Sequence, residues 1–210
     1  MNNANVRNKK IVRMVEMAML VALVVVLQMV SAMIPPIGGL VSITLTLIPV
    51  VIGAILFGKK GGAILGFAFG LIVLINCITG MDPGGNILWT SNPVCTALIC
   101  FVKGIAAGFV PAALYELIKG KNDNASVGKK YAASVVAALS APIVNTGLFV
   151  LGMFAFFMDT LAAWAGDTNI VTYIIVGLAG LNFLVEFLIN ISLSPAIIRI
   201  VEVVKKDKKQ

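Results

Sequence analysis

The sequence predicts an all-α membrane protein with six transmembrane helices and both termini in the cytoplasm. Hydrophobic residues fill 60% of its 210 positions, 12% of the residues are charged, and the mean hydropathy is +1.03. Apolar stretches of about 20 residues, the length that crosses a hydrocarbon core as a helix, recur along the chain. Lysines and arginines lie at the ends of these stretches, as in short cytoplasmic loops. These observations predict a single membrane domain over residues 1–210.

The predicted helices cover approximately residues 11–34, 41–57, 61–79, 93–118, 131–157 and 173–204. The first stretch is longer than the apolar core of a secretory signal peptide and further spans follow it, so we interpret it as a transmembrane helix. Pro49 lies in the middle of the second helix and predicts a kink there. Residues 80–92 and 158–172 are predicted outer loops, and residues 119–130, with four lysines, are a predicted cytoplasmic loop.

The second and third predicted helices form a hairpin around the sequence FGKKGG, residues 57–62. Lys59 and Lys60 are too costly to leave in lipid, so we expect the turn at the cytoplasmic surface. A glycine at every fourth position then marks one helix face, and the fourth helix contains a second G-x-x-x-G pattern: Gly58, Gly62, Gly66 and Gly70, then Gly104 and Gly108. Because a missing side chain lets two backbones approach, these glycines predict close helix packing.

The distribution of charged residues limits the possible functions. Fifteen of the sixteen Lys and Arg residues fall at or beyond predicted cytoplasmic helix ends, and none lies in a predicted outer loop. The formal charge of +7 therefore indicates membrane orientation, and no nucleic-acid partner is predicted. The chain contains no histidine, and its three cysteines have no C-x-x-C spacing, so no enzyme activity, cofactor or metal site is predicted. We interpret the cysteines as small core residues, with a Cys77–Cys95 disulfide as the alternative.

The sixteenth base, Lys103, predicts a polar site within the membrane. It lies in the outer half of the fourth helix, where an uncompensated charge costs roughly 2.5–3.5 kcal/mol. The sixth helix carries a polar residue at every fourth position: Asn182, Glu186 and Asn190. Two interpretations stay open, because Lys103 either pairs with Glu186 to join two helices or lines a ligand cavity together with this stripe.

The candidate substrate-binding residues share polar or aromatic side chains near the expected outer half of the bundle: Lys103, Asn182, Glu186, Asn190, Asn145, Asn76 and Trp89. Trp89, in the predicted outer loop, is either an interface anchor or a lid over a ligand. The chain lacks the P-loop pattern G-x-x-x-x-G-K-[ST] and has no second carboxylate in the predicted spans to pair with Glu186. These features predict a substrate-binding subunit that depends on a separate energising partner.

The whole chain resembles the substrate-binding S components of the energy-coupling factor (ECF) vitamin transporters. The resemblance rests on the six-helix pattern, on the sequence Ala18-Met19-Leu20-Val21-Ala22, on VSIT at residues 41–44, and on IPVVIGAILFG at residues 48–58, which is similar to helix 2 of pantothenate-type members. It implies that Ala18 and Ala22 dock against a transmembrane coupling protein attached to two ATPases.

The resemblance further implies import of a water-soluble vitamin across the bacterial plasma membrane. Pantothenate is the expected vitamin, and riboflavin or another vitamin is the alternative, because riboflavin-type members share the I-P-x-x-I-G-A-x-L-F-G pattern. A non-transporting structural or assembly subunit is the alternative from a different class, since polar side chains also join helices inside membranes.

Overall fold

The computed structural model describes residues 3–33, 44–120, 126–178 and 183–192, with residues 180, 195 and 199, and describes α1 side chains from Lys10 onward. The helices are α1 (Asn3–Met33), α2 (Leu47–Thr79), α3 (Pro83–Ser91), α4 (Pro93–Lys119), α5 (Val127–Phe156), α6 (Met158–Ala165) and α7 (Ile170–Tyr173), a π-helical turn (Ile174–Leu178), and α8 (Phe183–Ser192). The predicted all-helical fold is confirmed for these residues. Four segments are long and apolar enough to cross a membrane: Lys10–Met33, α2, α4 and α5.

The α2 segment is a hairpin, because its helical backbone breaks at Gly58. Gly58 has φ 72° and ψ −166°, a conformation that favours glycine. A Cβ added at Gly53 would collide with Leu65, and one added at Gly62 would lie 3.1 Å from the Ala54 Cβ. A straight helix would separate Gly53 from Leu65 by about 18 Å, so the chain must reverse between them. The predicted hairpin is therefore confirmed, and we name its arms α2a (47–57) and α2b (59–79).

The predicted kink at Pro49 is wrong, because α2 begins later than the sequence suggested. The predicted helix started at residue 41, whereas the observed helix starts at Leu47 and has its only non-helical dihedrals at Gly58. Pro49 therefore lies in the first turn, where a backbone N–H has no intrahelical partner and its absence costs little.

The predicted glycine packing joins α2b to α4 through direct backbone contact. A Cβ added at Gly62 would collide with the carbonyl oxygen of Gly108, and one added at Gly66 would collide with that of Gly104. One turn further along α2b, a Cβ at Gly70 would lie 2.5 Å from a carbonyl oxygen of α4. The prediction of close packing is confirmed for five glycines, which are called the glycine seam below: Gly62, Gly66, Gly70, Gly104 and Gly108. Gly58 was predicted on the same face but lies in the hairpin turn.

Both segments predicted to be outer loops contain helices, which corrects the loop assignment. Asp82 caps α3 by accepting a hydrogen bond from the Gly85 N–H at 3.1 Å, and Pro83 occupies the first helical position. The proline, glycine and acidic residues that suggested a loop thus start a helix. Residues 158–172 likewise hold α6 and α7, with Leu161 and Ala165 buried.

The short outer helices lie over the ends of the long ones. A buried apolar cluster joins α3, α4, α5, α6 and the π-helical turn through Leu88, Ile99, Met153, Phe157, Leu161 and Ile174. The observed α4 begins at the predicted residue, and α5 covers Val127–Phe156 where 131–157 was predicted. The predicted sixth helix, 173–204, lies partly outside the described residues, and its described parts are the π-helical turn and α8.

Candidate ligand-binding cavity

A polar cavity opens at the end of the bundle opposite the Gly58 turn, next to the point where α2b leads into α3. The space inside it that water-sized groups can occupy is about 70 Å³, within about 850 Å³ of empty space that includes its open mouth. Its lining residues come from seven helices and from Thr44, which precedes α2. The helices contribute Gln28 (α1); Val73 and Cys77 (α2b); Gly84, Gly85 and Leu88, with the capping residue Asp82 (α3); Thr96, Ile99, Cys100 and Lys103 (α4); Asn145, Thr146 and Phe149 (α5); Trp164 (α6); and Glu186 (α8).

Lys103 supplies a positive charge to this cavity. Its Nζ lies 5.0 Å from the centroid of the Phe149 ring, so the ammonium of α4 rests on an aromatic face of α5. Within the described ranges Lys103 forms no ion pair with Glu186, the pairing proposed from the sequence as the alternative to a ligand cavity.

Glu186 supplies a buried carboxylate from the opposite side. The residue is 3% exposed, and its Oε1 accepts a hydrogen bond from the Thr44 backbone N–H at 2.8 Å. Its Oε2 has no hydrogen-bond partner among the residues that the structure describes. One oxygen of this carboxylate therefore holds the protein backbone, while the other is left for a group inside the cavity.

Asn145 contributes a second buried acceptor from α5. It is 6% exposed and lines the cavity, and its Oδ1 lacks a hydrogen-bond partner in the part of the chain that is described. Buried polar atoms in proteins are almost always hydrogen-bonded, so such an atom on a cavity wall indicates a missing ligand or water. Lys103, Asn145 and Glu186, three of the residues singled out from the sequence, thus meet in one cavity.

The residues just before α2, 44–46, are held by side chains instead of by a helix. Three hydrogen bonds do this: Thr44 N–H to Glu186 Oε1 at 2.8 Å, Leu45 N–H to Ser31 Oγ at 3.1 Å, and the Thr46 hydroxyl to Gln28 Oε1 at 2.7 Å. We call residues 44–46 the Thr44 strap. Sequence reasoning missed it, because residues 41–57 were predicted to form one helix, whereas residues 45 and 46 form a turn.

Other predicted site residues lie away from the cavity lining. Asn76 is 3% exposed, and its backbone carbonyl accepts the Asp82 N–H at 3.2 Å. Trp89 packs from α3 against the main apolar core. Asn190 is 1% exposed and donates from Nδ2 to the Glu186 backbone carbonyl at 2.8 Å. Asn182 lies outside the described residues.

Sequence reasoning also missed two residues of the cavity wall, Asp82 and Trp164. Both lie in segments that were predicted to be loops, and a predicted loop does not show which way its side chains point. The Asp-Pro pair at residues 82–83, typical of a helix start, was the signal that would have placed Asp82 at an ordered position. The described lining therefore combines one lysine with two carboxyl groups.

Ala18 and Ala22, the predicted docking residues, lie on the exposed side of α1. Next to Ala18, the residues Lys10, Arg13, Met14, Met17 and Val21 line a shallow groove near the basic end of the bundle. Both alanines are therefore accessible to a partner within the membrane.

Long apolar helices around a cavity with charged and polar walls are typical of a membrane protein that binds a small molecule. The family described as "ECF transporter, substrate-specific component" matches residues 12–198, so this chain belongs to that family. The chain is also 27% identical over 191 residues to the pantothenic acid transporter PanT of Lactococcus lactis subsp. cremoris (strain MG1363), and the alignment covers 87% of this chain and 89% of PanT.

The family resemblance drawn from the sequence is confirmed. Members of this family are substrate-binding components of bacterial membrane transporters and do not form a family of enzymes. They work with an ECF module and take up small-molecule vitamins, so this chain is a vitamin-transporting S component. Membership argues against the alternative of a non-transporting structural subunit.

Proposed function

We propose that this protein binds pantothenate at the outer face of the bacterial plasma membrane for import by an ECF module. The observation that carries the proposal is a cavity in which an ammonium, Lys103, faces two buried acceptors, Asn145 Oδ1 and Glu186 Oε2, that have no hydrogen-bond partner in the described ranges. Pantothenate carries a carboxylate together with hydroxyl and amide donors, so its groups complement all three. The similarity to a protein named as a pantothenic acid transporter supports the same choice.

In this proposal Lys103 binds the carboxylate of the vitamin. The Phe149 ring leaves the Lys103 Nζ with donors to spare, because a cation–π contact uses the charge of the ammonium and not all of its N–H groups. A charge-assisted hydrogen bond to a carboxylate is about twice as strong as one between neutral groups. Asn145 and Glu186 then accept hydrogen bonds from the donor groups of the ligand.

Ligand binding to the purified protein tests the proposal. Calorimetry should detect pantothenate binding and no riboflavin binding, and mass spectrometry should detect pantothenate retained by the protein after purification. Binding of riboflavin in preference to pantothenate would contradict the assignment of the substrate while leaving the family membership untouched.

We propose six transmembrane helices with cytoplasmic termini. Support comes from the α2 hairpin, whose turn carries the exposed Lys59 and Lys60, and from the Lys59–Glu116 ion pair of 3.2 Å that joins it to the inner end of α4. Single cysteines placed at the exposed residues Ser91 and Thr168 in a Cys95→Ala background should react with an impermeant thiol reagent from outside the cell. A cysteine at Gly128, which is exposed with no neighbour within 4 Å, should not react. Labelling at Gly128 would contradict this topology.

We propose that the exposed Ala18 and Ala22 form the contact with a coupling protein carried by two ATPases. The double variant Ala18→Trp/Ala22→Trp should abolish uptake and leave pantothenate binding to the isolated protein unchanged, because the bulky rings prevent close helix approach. A matched control, Met19→Trp/Leu23→Trp, changes two other exposed residues of α1 at the same spacing and should retain uptake. Equal uptake by both double variants would remove the alanines from the docking surface.

A further inference from the structure

We infer that Glu186 is a specificity-determining residue whose Oε2 accepts a hydrogen bond from a hydroxyl or amide N–H group of the ligand. This inference rests on the proposed function, and it assigns each carboxylate oxygen a separate task. Oε1 holds the Thr44 backbone N–H at 2.8 Å, whereas Oε2 reaches no donor within the described residues, although Glu186 is 3% exposed and lines the cavity.

The protein groups closest to Glu186 do not satisfy Oε2. Thr44 uses its N–H on Oε1, and Asn190 directs its Nδ2 to the backbone carbonyl of Glu186 at 2.8 Å. Lys103 faces the same cavity without forming an ion pair with Glu186 in the described part of the chain. Among the described residues none is hydrogen-bonded to Oε2, although the Thr44 side chain also interacts with this carboxyl group, and we assign the donor to a molecule inside the cavity.

A purely structural role would not require a carboxylate at this position. Holding the Thr44 strap takes one acceptor, and a glutamine would provide it with a smaller desolvation cost than a buried carboxylate. A carboxylate is favoured over an amide where both of its oxygens accept hydrogen bonds. The second oxygen therefore indicates that a donor from the ligand completes the site.

The positions of Lys103 and Glu186 define the class of ligand. They belong to α4 and α8, and the Oδ1 of Asn145, on α5, which has no partner among the described residues, adds a further acceptor to the same cavity. The matching ligand is an acid that carries hydroxyl or amide donors away from its anionic group. A carboxylic acid without such donors leaves Glu186 Oε2 buried and unsatisfied, so it should bind poorly.

The variant Glu186→Gln separates the two tasks of this side chain. The Thr44 N–H requires an oxygen at the Oε1 position, which places the amide nitrogen of glutamine where Oε2 was. A donor then faces the donor of the ligand, while the Thr44 strap keeps its hydrogen bond. The substitution therefore affects those ligands that use the contacted donor group.

Calorimetry with pantothenate and three analogues tests the inference. The analogues are the 2-deoxy and 4-deoxy compounds and the compound methylated at the amide nitrogen, each of which lacks one donor. We expect Glu186→Gln to bind pantothenate about tenfold to a hundredfold more weakly than the parent protein does. We further expect one analogue to bind the parent and the variant with equal affinity, which also shows that the variant is folded.

Ser31→Ala is the matched control, because it removes the acceptor of the Leu45 N–H and loosens the Thr44 strap without changing Oε2. It should change the affinity for all four compounds by the same factor. The same uniform loss in Glu186→Gln would show that Glu186 acts only through the strap, and it would overturn the inference.

The parent protein alone can also overturn the inference, should Glu186→Gln not fold. The inference requires that one analogue binds the parent at least about tenfold more weakly than pantothenate does, as expected for a lost hydrogen bond to a charged group. Equal binding of all four compounds overturns the inference and leaves the proposed function intact. A parent protein that binds none of them overturns both.

Discussion

α4 belongs to two interfaces of opposite character, the glycine seam and the cavity. On the seam, Gly104 and Gly108 bring the backbone of α4 against that of α2b, with no room for a single added carbon. On the cavity side, Lys103 shares space with residues of six other helices and leaves that space unfilled. The comparison shows that close backbone contacts, which leave no room for an added side chain, fix the position of α4. In this position α4 forms one wall of an open polar site.

The two interfaces are linked through neighbouring positions in the chain. Lys103 directly precedes Gly104, and consecutive residues of an α-helix point about 100° apart. The contact between Gly104 and Gly66 therefore fixes how far Lys103 stands from Phe149 and from the mouth of the cavity. A rigid seam is a way to hold the ammonium of Lys103 in place without an ion pair to a carboxylate among the described residues.

The largest expected effect comes from breaking the seam with Gly66→Ala. The added methyl group would collide with the carbonyl oxygen of Gly104, a backbone atom that cannot move aside, so the free energy of unfolding should fall by about 3 kcal/mol. Chemical unfolding in mixed micelles measures this loss. Gly147→Ala on α5 is the control, since nothing lies within 4 Å of a Cβ there, and it should change stability by less than about 1 kcal/mol. Equal stability of the two variants would show that the seam is loosely packed.

A smaller effect is expected from changing the cavity with Lys103→Gln. Loss of a charge-assisted hydrogen bond should weaken pantothenate binding about tenfold to a hundredfold, while the unfolding free energy changes little. An uncharged analogue with an alcohol in place of the carboxylate should bind the parent and the variant almost alike.

The double variant Lys103→Met/Glu186→Gln tests whether these two residues bind the ligand or only join helices. If the two residues served only to join helices, replacing both would be tolerated and binding would persist. We expect instead a folded protein with lost affinity. Unchanged calorimetric affinity for pantothenate in Lys103→Gln would contradict the role of the lysine in binding a carboxylate.

The smallest effect is expected where α2 and α4 meet beside the Gly58 turn. Lys59 and Glu116 form an ion pair of 3.2 Å, but their side chains are 45% and 48% exposed. Solvent and salt screen such a pair, so Lys59→Gln should lower the unfolding free energy by less than about 1 kcal/mol. A loss as large as that from Gly66→Ala would mean that charge, and not backbone contact, holds the two helices together.

The hairpin and the seam were predictable because their causes are local. Two adjacent lysines cannot remain in lipid, whatever the rest of the chain does, so a turn at residues 57–62 follows. Glycines at every fourth position share a helix face by the geometry of the helix alone. Lys103 was recognisable for the same reason, since a base within an apolar stretch needs a polar surrounding.

Only the tertiary structure decided how the cavity is built. Thr44 and Glu186 are hydrogen-bonded across a separation of 142 residues, and no local periodicity predicts such a pair. The two tryptophans show the same limit. Both lie in predicted loops, so the sequence does not distinguish them, but Trp164 on α6 lines the cavity and Trp89 on α3 packs against the core. The sequence by itself determined which stretches are apolar enough to cross lipid, since that depends on the polarity of each stretch. Which polar side chains share a cavity was decided by the packing of remote helices.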